Sequence, residues 1–184
     1  ILVHKDESHD CGLRIDDGEY RLFSYDGTGH AVAMTVPSTD LGHWVHLTGT
    51  CDGRRWRLYH NGELTAETLI DFGSIRVDGD WGVGCSTFDN TRVFDGDIRN
   101  VRLWNRALLP GEAAELYRKE KDGGRVAHDS PSPAEGMALY LPMDEILPGG
   151  TLTNLAAGTV TPQLNGGIYA FGGALVFNGS NDWI

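Results

Sequence analysis

The stretch Phe94-Asp95-Gly96-Asp97-Ile98-Arg99-Asn100-Val101-Arg102-Leu103-Trp104-Asn105-Arg106-Ala107-Leu108 decides the fold, because its spacing of apolar, aromatic and charged residues is hard to obtain by chance. Upstream of it lie Trp44-Val45-His46-Leu47-Thr48-Gly49-Thr50-Cys51-Asp52-Gly53 and Leu58-Tyr59-His60-Asn61-Gly62-Glu63-Leu64. Within Arg55-Trp56-Arg57-Leu58-Tyr59 the arginines fall on one face and Trp56 and Leu58 on the other, the period of two of a half-buried strand. Asn61-Gly62 then supplies positive φ for a two-residue turn, the strongest hairpin cue in the chain. Further upstream, Gly12–Ile15 and Glu19–Tyr25 alternate in character around the Asp-Gly turn at Asp17-Gly18. Ala31–Met34 follows as another strand.

One helix is expected, near 110–121. Pro110 stands at its start, Glu112 and Glu115 early, and Arg118, Lys119 and Lys121 late, an order that complements the helix dipole. Gly123-Gly124 is expected to stop it. Residues 123–136 are a linker by composition. Strand character resumes at Met137–Met143 and ends with Ala174–Phe177.

The 184 residues suffice for one ordinary domain with a buried core. Hydrophobic content of 40% and charged content of 22% belong to a globular chain, and 25 glycines favour many tight turns and an all-β fold. A formal charge of −11 repels phosphate backbones and anionic lipid, which argues against a nucleic-acid partner. No apolar run approaches the roughly 20 residues of a membrane helix. The sequence opens without an initiator Met or a signal peptide, so it reads as a fragment or a processed product. Cys11, Cys51 and Cys85 lack metal-ligand spacing, allow at most one internal disulfide, and read as small buried thiols.

The runs at 44–64 and 94–108 resemble the second half of a laminin-G-like, concanavalin A-type jelly roll, the superfamily that includes pentraxins. Leu139-Tyr140-Leu141-Pro142-Met143-Asp144-Glu145, with Gly172-Gly173-Ala174-Leu175-Val176-Phe177-Asn178-Gly179-Ser180-Asn181-Asp182-Trp183-Ile184, resembles the first half. The first half therefore comes last. The resemblance implies an antiparallel jelly-roll β-sandwich with one short helix. Residues 1–122 would be the second half of the pattern, and 137–184 either the permuted part of the same sandwich or the start of a second copy. Intact domains of this type carry a long core strand between the two matched halves, and no such stretch stands here. A missing central strand leaves unpaired backbone groups, which points to further sequence of a tandem array or to a neighbouring subunit that completes the sandwich, with a diverged domain as the third reading.

The resemblance also implies a non-catalytic module that binds glycan or protein, with calcium as the one candidate cofactor and an extracellular or cell-surface setting. Calcium takes six to eight oxygen ligands, which the family draws from two rim loops. By pattern these are Asp6-Glu7-Ser8-His9-Asp10, after a strand at Ile1–Val3, and Ser86-Thr87-Phe88-Asp89-Asn90, after a strand at Trp81–Gly84. Asp10 and Asp89 lead as candidates, with Asp6 and Asn90 behind them. This sequence departs from the pentraxin pattern by placing Cys85-Ser86-Thr87 where acidic residues are expected.

Other candidates have plainer explanations. His43 and His46 flank Trp44 on one expected strand and lack a third zinc ligand. His4, His9 and His30 are scattered. Glycosidases of this architecture set two carboxylates about 5 Å apart on one strand, whereas Asp144 and Glu145 are adjacent and would face opposite ways. No Gly-x-Ser-x-Gly elbow or phosphate loop is present. Trp56, Trp81, Trp104 and Trp183 could form a sugar-stacking platform but are expected in the core, and Asn178-Gly179-Ser180 fits a glycosylation sequon but is expected as a turn. The alternative to a binding module is a structural subunit of a larger assembly with no small ligand.

Overall fold

A computed structural model describes residues 1–70, 77–122, 135–156, 160–180 and 182–184. Its strands are β1 (Leu2–Lys5), β2 (Asp10–Asp16), β3 (Glu19–Tyr25), β4 (Gly29–Thr35), β5 (Leu47–Cys51), β6 (Arg55–His60), β7 (Glu63–Leu69) and β8 (Trp81–Val83). They continue with β9 (Asp95–Ile98), β10 (Val101–Trp104), β11 (Met137–Leu141), β12 (Tyr169–Phe171) and β13 (Ala174–Asn178), and the helix α1 spans Pro110–Glu120. The chain divides into two compact units, one from 1–7, 78–105 and 134–184, the other from 8–77 and 106–133.

The second unit is built from two antiparallel hairpin series. β2, β3 and β4 form one, and β5, β6 and β7 the other. The expected turns are the reason they close. Asp17 and Gly18 adopt φ of 50° and 74°, and Asn61 and Gly62 adopt 51° and 79°, left-handed at both central positions as the strand twist requires. Tyr20 and Val32 from one series pack with Trp56 and Leu58 from the other, which makes this unit a sandwich. Each such side chain stabilises by about 1.5–3 kcal/mol when fully buried.

Alternation fails at one point of β6. Trp56 and Leu58 are buried as expected, but so is Tyr59. The pairing steps from Leu58↔Ala66 to Tyr59↔Leu64, so Thr65 is an extra residue on β7, and its hydroxyl donates to the Leu58 carbonyl at 3.1 Å. A bulge of this kind bends the strand and redirects its neighbours. The helix starts as expected. Ala113 and Leu116 are buried, α1 lies against β7, and Tyr117 approaches Gly62. Its expected stop at Gly123-Gly124 lies outside the described residues, as does most of the expected linker.

The first unit joins the two matched stretches of sequence. β9 pairs with β13, which also pairs with β12, and β10 pairs with β11, all antiparallel. β1 pairs with β8 in the same sense. The core takes Val83 from β8, Ile98 and Val101 from the upstream run, and Leu139, Leu141, Leu175 and Phe177 from the downstream one. The buried Asp182 holds this unit's loops together, accepting from the Gly167 and Asn178 amides at 2.7 and 2.8 Å. The architecture is an antiparallel β-sandwich fold with one short helix.

Four expectations about side chains need correction. Among the tryptophans expected in the core only Trp56 is deeply buried; Trp81 is 40% exposed, and Trp104 and Trp183 are half-buried. His43 and His46 precede β5 and do not share a strand. Asp144 and Glu145 follow β11 outside any strand, so pleat alternation does not apply to them. Cys85 is buried, whereas Cys11 and Cys51 are only partly so, and all three are free thiols.

Candidate functional site

The ladder between β1 and β8 sets His4 opposite Trp81. Their rings stack with centroids 4.5 Å apart and planes inclined by 22°. The His4 Nε2 lies 2.7 Å from the Gly79 carbonyl, and because a carbonyl only accepts, this nitrogen carries the hydrogen. The imidazole is thus fixed at one end by the backbone and lies flat against the indole. Gly79 permits this close course, since a Cβ there would fall 2.0 Å from the Lys5 carbonyl oxygen. The outcome is an exposed indole in a defined orientation.

The loop after β8 closes on itself. The Ser86 amide donates to the Thr91 carbonyl at 2.8 Å, and the Asn90 amide to the Ser86 carbonyl at 2.9 Å. Asn90 takes φ of 53°, a left-handed conformation that asparagine tolerates well. Asp89 Oδ1 accepts from the Thr91 hydroxyl at 2.7 Å, and Lys5 Nζ donates to Asp89 Oδ2. The Lys5 ammonium also lies 5.6 Å from the centroid of the Phe88 ring, which is half exposed. Partial burial pushes the Asp89 carboxyl up. The hydrogen bonds from Lys5 and Thr91 and the Lys5 charge outweigh this and hold it well below the usual carboxylate range.

The calcium candidates divide between the units. Asp6, Asp89 and Asn90 belong to the first unit, and Asp10 to the second. Asp10 is also not a loop residue; it opens β2 and is 5% exposed. The Asp6 carboxylate accepts from the Asp78 amide at 2.9 Å. Both oxygens of Asp89 already serve Lys5 and Thr91. Among the described residues no group of three or more His, Cys, Asp or Glu is placed to hold a metal ion. A calcium shell needs several oxygens converging on one point. The donors as placed do not fit that requirement.

A second polar cluster, not anticipated from the sequence, lies in the second unit. The Asp40 carboxylate accepts from the Tyr20 hydroxyl at 2.9 Å and from His60 Nε2 at 2.8 Å. Burial and then this hydrogen bond push the Tyr20 hydroxyl far up, so it remains a donor. The arrangement pins the short helical turn at Ser38–Asp40 to β3 and β6. His46 is likewise structural: its amide donates to Asn61 Oδ1 at 3.0 Å and its ring tilts against Tyr117. Asn178 Oδ1 accepts from the Ser180 amide at 2.9 Å, so the Asn-Gly-Ser stretch is an Asx-type turn.

Lys5, His4, Trp81 and Phe88 were not legible as a group. They become neighbours through the pairing of strands more than 70 residues apart in sequence, and nothing local signals that pairing. The nearest cue was Trp81 itself, as one of four tryptophans that could form a stacking platform, with nothing to say which of them is exposed.

Comparison with known proteins agrees with this fold. The chain is 26% identical over 91 residues to human Pentraxin-4, a match covering 50% of this chain and 18% of that protein. A crystal structure of a "putative carbohydrate binding protein" from Bacteroides ovatus ATCC 8483 is similar in fold, with a TM-score of 0.59 at 21% identity. That likeness covers 100% of this chain and 53% of the other, so the chain spans about half of that structure and less of the pentraxin. Residues 1–114 match the family model Laminin_G_3, and the chain accordingly belongs to the concanavalin A-like lectin/glucanases superfamily.

Proposed function

We propose that this chain is a non-catalytic carbohydrate-binding module, with the Trp81 indole as the surface on which a sugar ring stacks. The observation that carries the reading is the half-exposed indole held flat by His4. A pyranose presents an apolar face of C–H groups, and a rigid aromatic ring covers it with little loss of side-chain freedom. The family and the carbohydrate-binding description of the structural neighbour support the reading, though fold alone does not fix a ligand. Asp144 and Glu145, adjacent in sequence and outside any strand, give no support to a glycosidase pair. An extracellular or cell-surface setting goes with this function.

A panel of immobilised glycans, followed by calorimetric titration of the best ligand, tests it. Binding by the wild-type chain that Trp81→Ala weakens about tenfold or more, with the variant still folded and melting cooperatively, is expected. Undiminished binding by Trp81→Ala would overturn the assignment.

The second reading is a structural subunit. It is favoured by β12, the edge strand of its sheet, whose Tyr169 and Phe171 are 56% and 73% exposed. An exposed aromatic edge is a template for pairing with another chain. We further read 137–184 as the permuted part of the same sandwich, supported by the pairing of β13 with β9 and of β11 with β10.

A further inference from the structure

We propose that Lys5 is the built-in cation of this loop rim, so that the loop at 86–91 is ordered by a lysine ammonium and not by calcium. The argument begins with Asp89. A carboxylate on a rim loop has two ways to be neutralised, a bound ion or a neighbouring basic side chain. Here Lys5, at the end of β1, donates to Asp89 Oδ2, while Thr91 takes Oδ1 through both its amide at 3.3 Å and its hydroxyl at 2.7 Å. The ammonium is anchored as well as the carboxylate. It faces the Phe88 ring at 5.6 Å, and its side chain is only 21% exposed. A divalent ion at Asp89 would have to displace a positive charge already seated there, and like charges at such range repel.

Asp6, the other acidic candidate in the first unit, is committed too. Asp6 holds the backbone of Asp78, which leads the chain into β8. A metal drawing on that same oxygen would compete with the amide. An ammonium supplies one charge and three donors to fixed partners, whereas calcium asks for six to eight oxygens. The residues present match the first demand and not the second. It follows that ligand binding by this chain is insensitive to calcium, and that Lys5 is a positioning residue for the loop carrying Phe88.

The inference stands apart from the glycan reading, because its test reads metal binding and stability without any sugar. Calcium chloride is titrated calorimetrically into the wild-type chain, and melting is followed in excess calcium and in chelator. No heat of binding and superimposable melting curves are expected. Binding tighter than about 10⁻³ M, within the range of extracellular calcium modules, overturns the proposal. In parallel, Lys5→Met is expected to lower the melting temperature by about 2–4 °C, and Lys5→Met/Asp89→Asn to recover most of that loss. An unchanged melting temperature in Lys5→Met would show that the lysine does not order the loop. If Lys5→Met does not fold, Lys5→Arg, which keeps the charge, should fold and melt near the wild type; its failure to fold would also count against the proposal.

Discussion

Arg106 and Glu112 form a two-pronged ion pair, with guanidinium nitrogens 2.7 and 2.6 Å from the two carboxylate oxygens. The same carboxylate accepts from the Leu109 amide at 2.7 Å, which satisfies one of the open donors at the start of α1. The last residues of the signature run are thereby clamped to the first turn of the helix. Arg106 is conspicuous in the sequence pattern, and this contact is a physical reason for it to stand there.

Loss of the clamp should appear in acid. The Arg106 hydrogen bonds and charge hold the Glu112 carboxyl below its ordinary value, opposed by partial burial. A depressed carboxylate contributes stability that is complete above the unfolded glutamate value and is lost as pH falls through the folded one. Glu112→Gln is therefore expected to cost about 1–2 kcal/mol at neutral pH and progressively less as the pH falls below the ordinary glutamate range. Melting curves of both proteins across that range check it, and a pH-independent difference would refute the assignment.

Gly62 carries two constraints at once. Its φ is 79°, and a Cβ there would stand 2.9 Å from Tyr117 Cβ and 3.1 Å from Ala114 Cα on the helix. Gly18 shares the conformation at 74° but has nothing within 4 Å of that position. Gly18→Ala should cost about 1 kcal/mol from backbone strain alone, and Gly62→Ala about 2–3 kcal/mol because the helix must also shift. Urea denaturation of the two variants measures the difference, and equal losses would mean that α1 does not rest on the turn.

Residues 137–184 should be indispensable to the first unit. Leu175 is fully buried between strands from both sequence stretches, so Leu175→Ala is expected to cost about 2–5 kcal/mol. Ending the chain at residue 122 should give insoluble protein, since Ile98 and Val101 would lose their covering. A soluble, cooperatively melting truncation would show that the downstream stretch belongs elsewhere.

Two of the thiols, Cys11 and Cys85, should be sluggish. Burial, and then the charge of Asp10, push the Cys11 thiol up to about 12, and burial also raises Cys85. Alkylation of Cys11 by iodoacetamide near neutral pH is expected to be on the order of a thousandfold slower than that of a free thiol, in proportion to its thiolate. Mass spectrometry of timed samples reads this directly. Rapid labelling would contradict the described burial.

His4 should matter to ligand binding by position alone. His4→Ala frees the indole to reorient and removes a stacked pair worth about 0.5–1.5 kcal/mol, so affinity for a bound glycan should fall about threefold to tenfold. His4→Phe, which keeps a stacked ring, should recover most of it. The comparison separates an oriented platform from an incidental aromatic.

The sequence by itself determined several of the hairpin strands, their turns and the start of the helix, because each rests on local rules. Asp17-Gly18 and Asn61-Gly62 needed only left-handed backbone, Arg55–Tyr59 only alternation, and α1 only its charge order and Pro110. The family pattern added the sandwich. Tertiary structure decided the rest. The exposure of Trp81 depends on where β8 falls in its sheet, which no periodicity states, and the same indole would read as core on an inner strand. The Lys5–Asp89 pair needs β1 laid beside β8, and the Asp40 cluster needs a short turn brought onto β3 and β6. Such contacts join residues distant in sequence, so they are set by which strands pair and not by any one strand. A carboxylate at the right place on a loop was legible as a calcium ligand; that a lysine had already been folded onto it was not.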